Sequence, residues 1–166
     1  MVNQDNIPKE LKELAQWVNW KKADKCPVNP KTGRNALSNN DLTWGAYEAA
    51  INHMEAHKGN GIGGIGFMFS KDKPYTGIDF DHCFKDGAVD AEVDAILKEL
   101  NTYSEISPSG DGIHAIVKGK LPGPGLGPEE GRLCEMYDQG RYFTVTGQWL
   151  GQYGGRIEDR EKEIVS

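Results

Sequence analysis

The sequence predicts one mixed α/β domain of the α+β type. Apolar residues recur at helical spacing in three segments, while the segments around them alternate apolar and polar residues at the two-residue period of a strand. The strand-like segments follow one another through turns and do not alternate regularly with helices, which argues against a parallel βαβ array. The 166 residues, 37% hydrophobic and 27% charged, suffice for a single domain with a real core and no staples.

In chain order, residues 7–16 (IPKELKELAQ) predict a short helix, with Pro8 in its first turn and Leu11, Leu14 and Ala15 as its apolar stripe. WVNWKK sets Trp17, Asn19 and Lys21 on one side of a strand and Val18 and Trp20 on the other. KCPVNPKTGRNALSNN, rich in asparagine and proline, is a loop or a loose hairpin. Asp41 or Thr43 can cap a second helix, whose stripe of Trp44, Tyr47, Ile51 and Met54 is a core face. Within GNGIGGIGFMFS, Gly61, Gly63 and Gly66 fit G-x-G-x-x-G, but a dinucleotide-binding loop must leave a strand and open a helix. Here a helix precedes and the alternating FMFS follows, so the glycines are expected to form a flexible connection into a strand. PYTGIDFDHC is the next strand, and residues 88–100 a third helix with Val89, Val93, Ile96, Leu97 and Leu100 inward. Strands are expected at YSEIS, GIHAIVKG, RLCEMY and RYFTVTG, and a mobile loop at KLPGPGLGPEEG.

Composition excludes several classes of function. Three cysteines, Cys26, Cys83 and Cys134, have no short repeated spacing, which argues for a reducing compartment and against a disulfide framework. No segment approaches the ~20 apolar residues of a membrane span, and the N-terminus has no apolar leader, so a cytoplasmic location without membrane contact is expected. A formal net charge of −6 is a poor sign of nucleic-acid binding, although a cleft can be basic where the sum is not.

The chemistry concentrates in four stretches. In GIDFDHC, Asp79 and Asp81 share one face of a strand while Ile78 and Phe80 point into a core. Two carboxylates about 6–7 Å apart along a strand repel unless a cation lies between them. The plain alternative is a wet strand face. SPSGDGIH offers small residues, hydroxyls and backbone N–H groups suited to phosphate, or else an ordinary hairpin turn with a satisfied His114. Glu135 stands between Cys134 and Met136, and a lone carboxylate in an apolar strand is costly to bury unless paired or metal-bound. If its strand lies beside GIDFD, three carboxylates converge as hard oxygen ligands for Mg²⁺ or Mn²⁺. Arg141 and Tyr142 in RYFTVTG complete the set. Zinc is not favoured: His53 and His57 share one helix face and His82 adjoins Cys83, but no cluster supplies the remaining ligands, and His53 and His57 are expected to be solvated.

In order, AQWVNWKK with KCPVNPKTG, then LTW, GIGFMF, GIDFDH, SPSGDGIH and CEMYDQGRYFTVTG resemble the phage- and plasmid-type primase–polymerases of the archaeo-eukaryotic primase superfamily. The resemblance spans roughly residues 15–147 and is carried by the ordered set more than by any single motif. It implies a catalytic core with an N-terminal αβ half and a half like an RNA-recognition motif, the site lying in the cleft between them. It implies that Asp79, Asp81 and Glu135 hold two divalent ions, Mg²⁺ or Mn²⁺, for nucleotidyl transfer. Glu135 is preferred to Asp138 because it lies in the strand proper. Ser109, Gly110, Gly112 and His114 would hold the triphosphate of an incoming NTP or dNTP, Arg141 would face phosphate, and Tyr142 would lie near the sugar. Lys21 and Lys25 are further candidates for phosphate or template contact. The implied partners are a single-stranded or primed DNA template, the nucleotide, and a helicase or accessory domain of a longer protein. Such accessory domains are expected to be absent from these 166 residues, so primer extension is a safer expectation than initiation. Two other functions use parts of the same set. A metal-dependent nuclease needs the carboxylates but no triphosphate loop. A non-catalytic single-strand-binding module would stack bases on Trp17, Trp20, Trp44 or Tyr142, against the repulsion of the acidic residues.

Overall fold

The computed structural model describes residues 2–165. In chain order its elements are α1 (Lys9–Lys12), β1 (Trp17–Lys21), β2 (Pro27–Val28), α2 (Tyr47–Ala56), β3 (Ile62–Met68), β4 (Tyr75–Phe80) and the short β5 (Phe84–Lys85) and β6 (Ala88–Val89). There follow α3 (Ala91–Leu100), β7 (Ser104–Ile106), β8 (Ile113–Lys118), β9 (Glu135–Tyr137), β10 (Tyr142–Val145) and α4 (Glu161–Ile164). One sheet runs β10-β3-β1-β2 and a second β7-β8-β4-β9, with all neighbours antiparallel; β5 and β6 form a separate hairpin. The fold is therefore mixed α/β with antiparallel sheets.

The second sheet has two unlike faces because side chains alternate along each strand. Ile78 and Phe80 of β4, with Ile113, Ala115 and Val117 of β8, pack in one core with Val93, Leu97 and Leu100 of α3. Burying each such α3 side chain contributes about 1.5–3 kcal/mol. The opposite face carries Gly77 and Asp79, and there the first sheet comes close. A Cβ at Gly77 would sit 2.5 Å from the rings of both Phe69 and Phe143, so only glycine permits this approach. The first sheet builds the other core with α2, around Trp17, Tyr47, Ile51, Ile65 and Phe67.

Four elements differ from the sequence expectation. The first helix shrinks to Lys9–Lys12, because Trp17 donates its Nε1–H to the Leu11 carbonyl at 2.9 Å and folds the chain back over a buried Leu11. In the second, Trp44 is buried but precedes the helix; Asn40, not Asp41 or Thr43, accepts from the Leu42 N–H and caps a 3-10 turn. The third helix begins at Ala91, since Asp86 and Gly87, at φ 52° and 79°, make the turn of the β5–β6 hairpin that claims Ala88 and Val89. Finally, Gly63, Gly64 and Gly66 lie inside β3 and are no flexible connection; Gly61 alone precedes the strand, in a turn at φ 89°. A Cβ at Gly63 would meet the Trp20 ring at 2.1 Å, so these positions are small because aromatic rings from neighbouring strands lie over them. The asparagine- and proline-rich segment is the loose hairpin, pairing Pro27 and Val28 with β1.

Candidate metal centre and nucleotide cleft

Strand register builds the site. Asp79 of β4 is opposite His114 of β8 on one side and Glu135 of β9 on the other. Asp81 follows just past the end of β4, in the turn before Cys83. Asp79, Asp81 and Glu135 each offer a carboxylate oxygen, and these oxygens all lie within 4.8 Å of one another. The expectation that both aspartates share a strand face is corrected: Asp79 lies on β4 and Asp81 in the turn beyond it, and the turn still brings Asp81 to Asp79 and the distant Glu135.

The electrostatics of this cluster are unbalanced. Burial, then the charges of Asp79 and Glu135, raise the Asp81 pKa above the ordinary aspartate value. Asp79 Oδ1 is buried with no hydrogen-bond partner among the described residues. His114 Nε2 lies 3.4 Å from it, close enough to form an ion pair but not aligned as a hydrogen bond. A buried carboxylate oxygen with no aligned hydrogen bond, paired with His114 and facing two further carboxylates, fits a hard divalent cation such as Mg²⁺ or Mn²⁺.

Around the cluster stand groups that suit phosphate. His114 is buried; its Nδ1–H donates to the Thr144 carbonyl at 3.2 Å, which leaves Nε2 facing Asp79. Burial by itself lowers the His114 pKa, but the facing Asp79, with Glu105 and the Thr144 carbonyl, outweighs it and raises the pKa above the ordinary histidine value. The Arg141 guanidinium stacks over the Tyr137 ring at 4.3 Å and lies 4.0 Å from Glu135. Asp79, His114, Arg141, Tyr142 and Lys25 line one cavity of about 540 Å³ between the sheets, room enough for a nucleotide. The Tyr142 ring lies against Gly66, and its hydroxyl donates to the Lys25 carbonyl.

The other sequence candidates lie apart from this cavity. Ser109 donates its hydroxyl to Asp111 Oδ1 at 2.6 Å, and Gly110 turns its N–H back to the Ser107 carbonyl. Gly110 lines a neighbouring cavity with Trp20 and Lys22, and Gly112 packs against the Phe80 carbonyl. None of the three glycine or serine candidates lines the cavity that holds Asp79; of that motif, His114 alone does. Lys21 bonds to Asn35 at 3.2 Å, outside the lining. Asp138 is buried and bonds to the Leu121 N–H, with Lys120 Nζ 3.6 Å away, so it serves the turn after β9 and not the cluster. His82 pairs with Asp111 at 2.7 Å, and Cys83 is buried in the α3 core.

Two residues near the site escaped the sequence reading. Tyr137 donates its hydroxyl to Glu135 Oε1 at 2.6 Å and so orients a cluster carboxylate. Its pKa is pushed up to about 12 by burial and then by that bond. The signal was present, since Tyr137 is two residues from Glu135 on a strand and shares its face. The other is Glu105 of β7, opposite His114 in register and wholly buried. A lone glutamate in YSEIS carried the same warning as Glu135.

No protein-family model matches the chain. Over 163 residues, covering 94% of this chain, it is 38% identical to a DNA primase–polymerase of Nitratiruptor phage NrS-1. The alignment takes in 22% of that phage protein, so the chain spans about a fifth of the relative's length. The match supports the phage-type primase–polymerase resemblance carried by the ordered motifs. No helix among the described residues is long and apolar enough to cross a membrane.

Proposed function

We propose that this chain is the catalytic domain of a phage-type primase–polymerase and performs template-dependent nucleotidyl transfer. The observation that carries the reading is the convergence of the Asp79, Asp81 and Glu135 carboxylates within 4.8 Å, with Asp79 lining one cavity together with His114 and Arg141. The name of the phage relative, a DNA primase–polymerase, agrees with it.

In this reading the three carboxylates hold two divalent ions, which supply Lewis-acid charge neutralisation at the reacting phosphates. The chain's own residues do the rest. His114, its ring turned by the Thr144 carbonyl, presents Nε2 to an oxygen of the incoming triphosphate. Arg141 offers a planar fork of donors to the same group, and Lys25 adds charge at the mouth of the cleft. The Ser109–Gly112 loop flanks the cleft and is proposed to close on the terminal phosphates once Ser109 gives up its bond to Asp111. Tyr142 forms the wall beside the sugar, where its ring senses a 2′-hydroxyl. A primed or single-stranded DNA template enters from the open side of the cleft.

The test is nucleotide incorporation on a primed template with dNTPs or NTPs and Mg²⁺ or Mn²⁺, comparing wild type with Asp79→Ala. Incorporation lost in the variant is expected. No incorporation by wild type in any of these conditions refutes the reading; cleavage of the strand that disappears with Asp79 would indicate a nuclease. Template binding that needs no metal and survives the substitution would indicate a binding module.

A further inference from the structure

We propose that Glu105 is a positioning residue that sets His114 through the backbone of β10; this rests on the reading of His114 as a nucleotide contact. The four strands of the second sheet carry one row of ionisable side chains in register: Glu105, His114, Asp79, Glu135. His114 and Asp79 line the cleft, and Glu135 joins Asp79 in the acidic cluster. Glu105 occupies the closed end, 1% exposed, where it cannot touch a ligand.

A carboxylate so deep in the protein is costly unless donors meet its lone pairs. Here they do, and two come from the backbone of the other sheet. Oε1 accepts from the Tyr103 hydroxyl at 2.7 Å and the Gly147 N–H at 3.2 Å; Oε2 accepts from the Thr146 N–H at 2.8 Å. Thr146 and Gly147 directly follow β10, and Thr144 of β10 supplies the carbonyl against which His114 Nδ1–H is set. Glu105 and His114 are neighbours across β7 and β8, so both grip the same stretch of β10, one by its N–H groups and the other by its carbonyl. Fixing the N–H groups fixes the carbonyl two residues earlier, and with it the aim of Nε2.

Glu105→Gln is the discriminating change. Whichever oxygen becomes NH₂, a backbone N–H, of Gly147 or of Thr146, then faces a donor and must move. Nucleotide affinity is measured by calorimetry with a dNTP and Ca²⁺, in the native and the His114→Ala backgrounds. The variant is expected to weaken binding about tenfold in the native background and less than about twofold once His114 is gone, the coupling of residues acting as one unit. Equal losses in both backgrounds, or none in a folded Glu105→Gln protein, overturn the proposal. Tyr103→Phe, which removes one donor and keeps the ring, is expected to show the same coupling more weakly and carries the comparison if Glu105→Gln does not fold. Should the wild type bind no nucleotide, the functional reading fails and the His114 imidazole ¹⁵N spectrum decides the role of Glu105. A single, exchange-protected Nδ1–H signal is expected in wild type and its loss or broadening in Glu105→Gln; an unchanged spectrum refutes the positioning role.

Discussion

Asp81→Asn is expected to stabilise the metal-free protein and to abolish its response to divalent cations. The ligand oxygens of Asp79, Asp81 and Glu135 are no more than 4.8 Å apart. At that separation a pair of like charges costs about 0.9 kcal/mol at a dielectric of about 80 and about 3.5 kcal/mol at about 20. Asp81 faces solvent beyond the strand end, so the smaller figure governs and salt trims it further. Removing its charge relieves two pairs, for a gain of about 1–2 kcal/mol. In a domain of this size that is a rise of about 2–8 °C in Tm. Wild type gains about 2.7 kcal/mol from Mn²⁺ at about a hundred times its Kd, whereas a variant lacking one ligand gains little. The order of stability therefore reverses on adding metal. Thermal melts of both proteins in chelator and in Mn²⁺ measure all four states. A variant that melts below wild type in chelator, or that gains as much from Mn²⁺, would refute the picture of a repulsive cluster held for a cation.

Metal affinity is expected to rise with pH, because Mn²⁺ competes with the proton on Asp81, whose pKa is raised by burial and by its two acidic neighbours. Calorimetric titrations from about pH 4 to about pH 7.5 should show the rise continuing above the ordinary aspartate range before it levels. Without metal the sign is opposite: the folded state holds this proton more tightly than the unfolded chain, so the contribution to stability is full below the unfolded pKa. It is lost as pH rises through the folded one, and a stability profile in chelator that climbs with pH through this titration would contradict the assignment. Gly66→Ala places a Cβ 2.5 Å from Tyr142 Cδ2 and 3.1 Å from the Phe143 carbonyl, so the ring must shift. A cost of about 1–3 kcal/mol in urea denaturation is expected, with a change in the ratio of dNTP to NTP use in the same sense as Tyr142→Ala; an unchanged ratio in both would remove Tyr142 from sugar selection.

The legible part of the site was the part made of local pattern. Asp79 on the polar face of its strand and His114 at the head of an apolar strand follow from the two-residue period, which needs no tertiary information, whereas Asp81 belongs to the turn beyond β4 and not to the strand face the period assigns it. Glu135 lies in the strand proper whereas Asp138 opens a turn, and the geometry groups Glu135 with the aspartates while Asp138 accepts from the Leu121 N–H. The loop Ser109–Gly112 shows where local pattern runs out. Its composition suits phosphate, yet its hydroxyl and N–H groups are engaged within the loop and its turn. Helix boundaries suffered likewise. Asp86-Gly87 is a strong hairpin signal, but Val89 also fits the helical stripe of Val93 and Ile96, and the hairpin claims it.

By itself the sequence determined the mixed α/β class, the two faces of β4, and the acidic and histidine residues from which a site could be made. Each follows from side-chain periodicity and from the cost of placing a charge in an apolar strand. Only the tertiary structure decided which strands are neighbours. That choice put Glu105, His114, Asp79 and Glu135 in one row and let the sheets meet over Gly77. It also left one oxygen of Asp79 buried beside His114 without an aligned hydrogen bond. The reason is physical: hydrogen-bond pairing between strands far apart in sequence is set by global packing, and no local propensity encodes it.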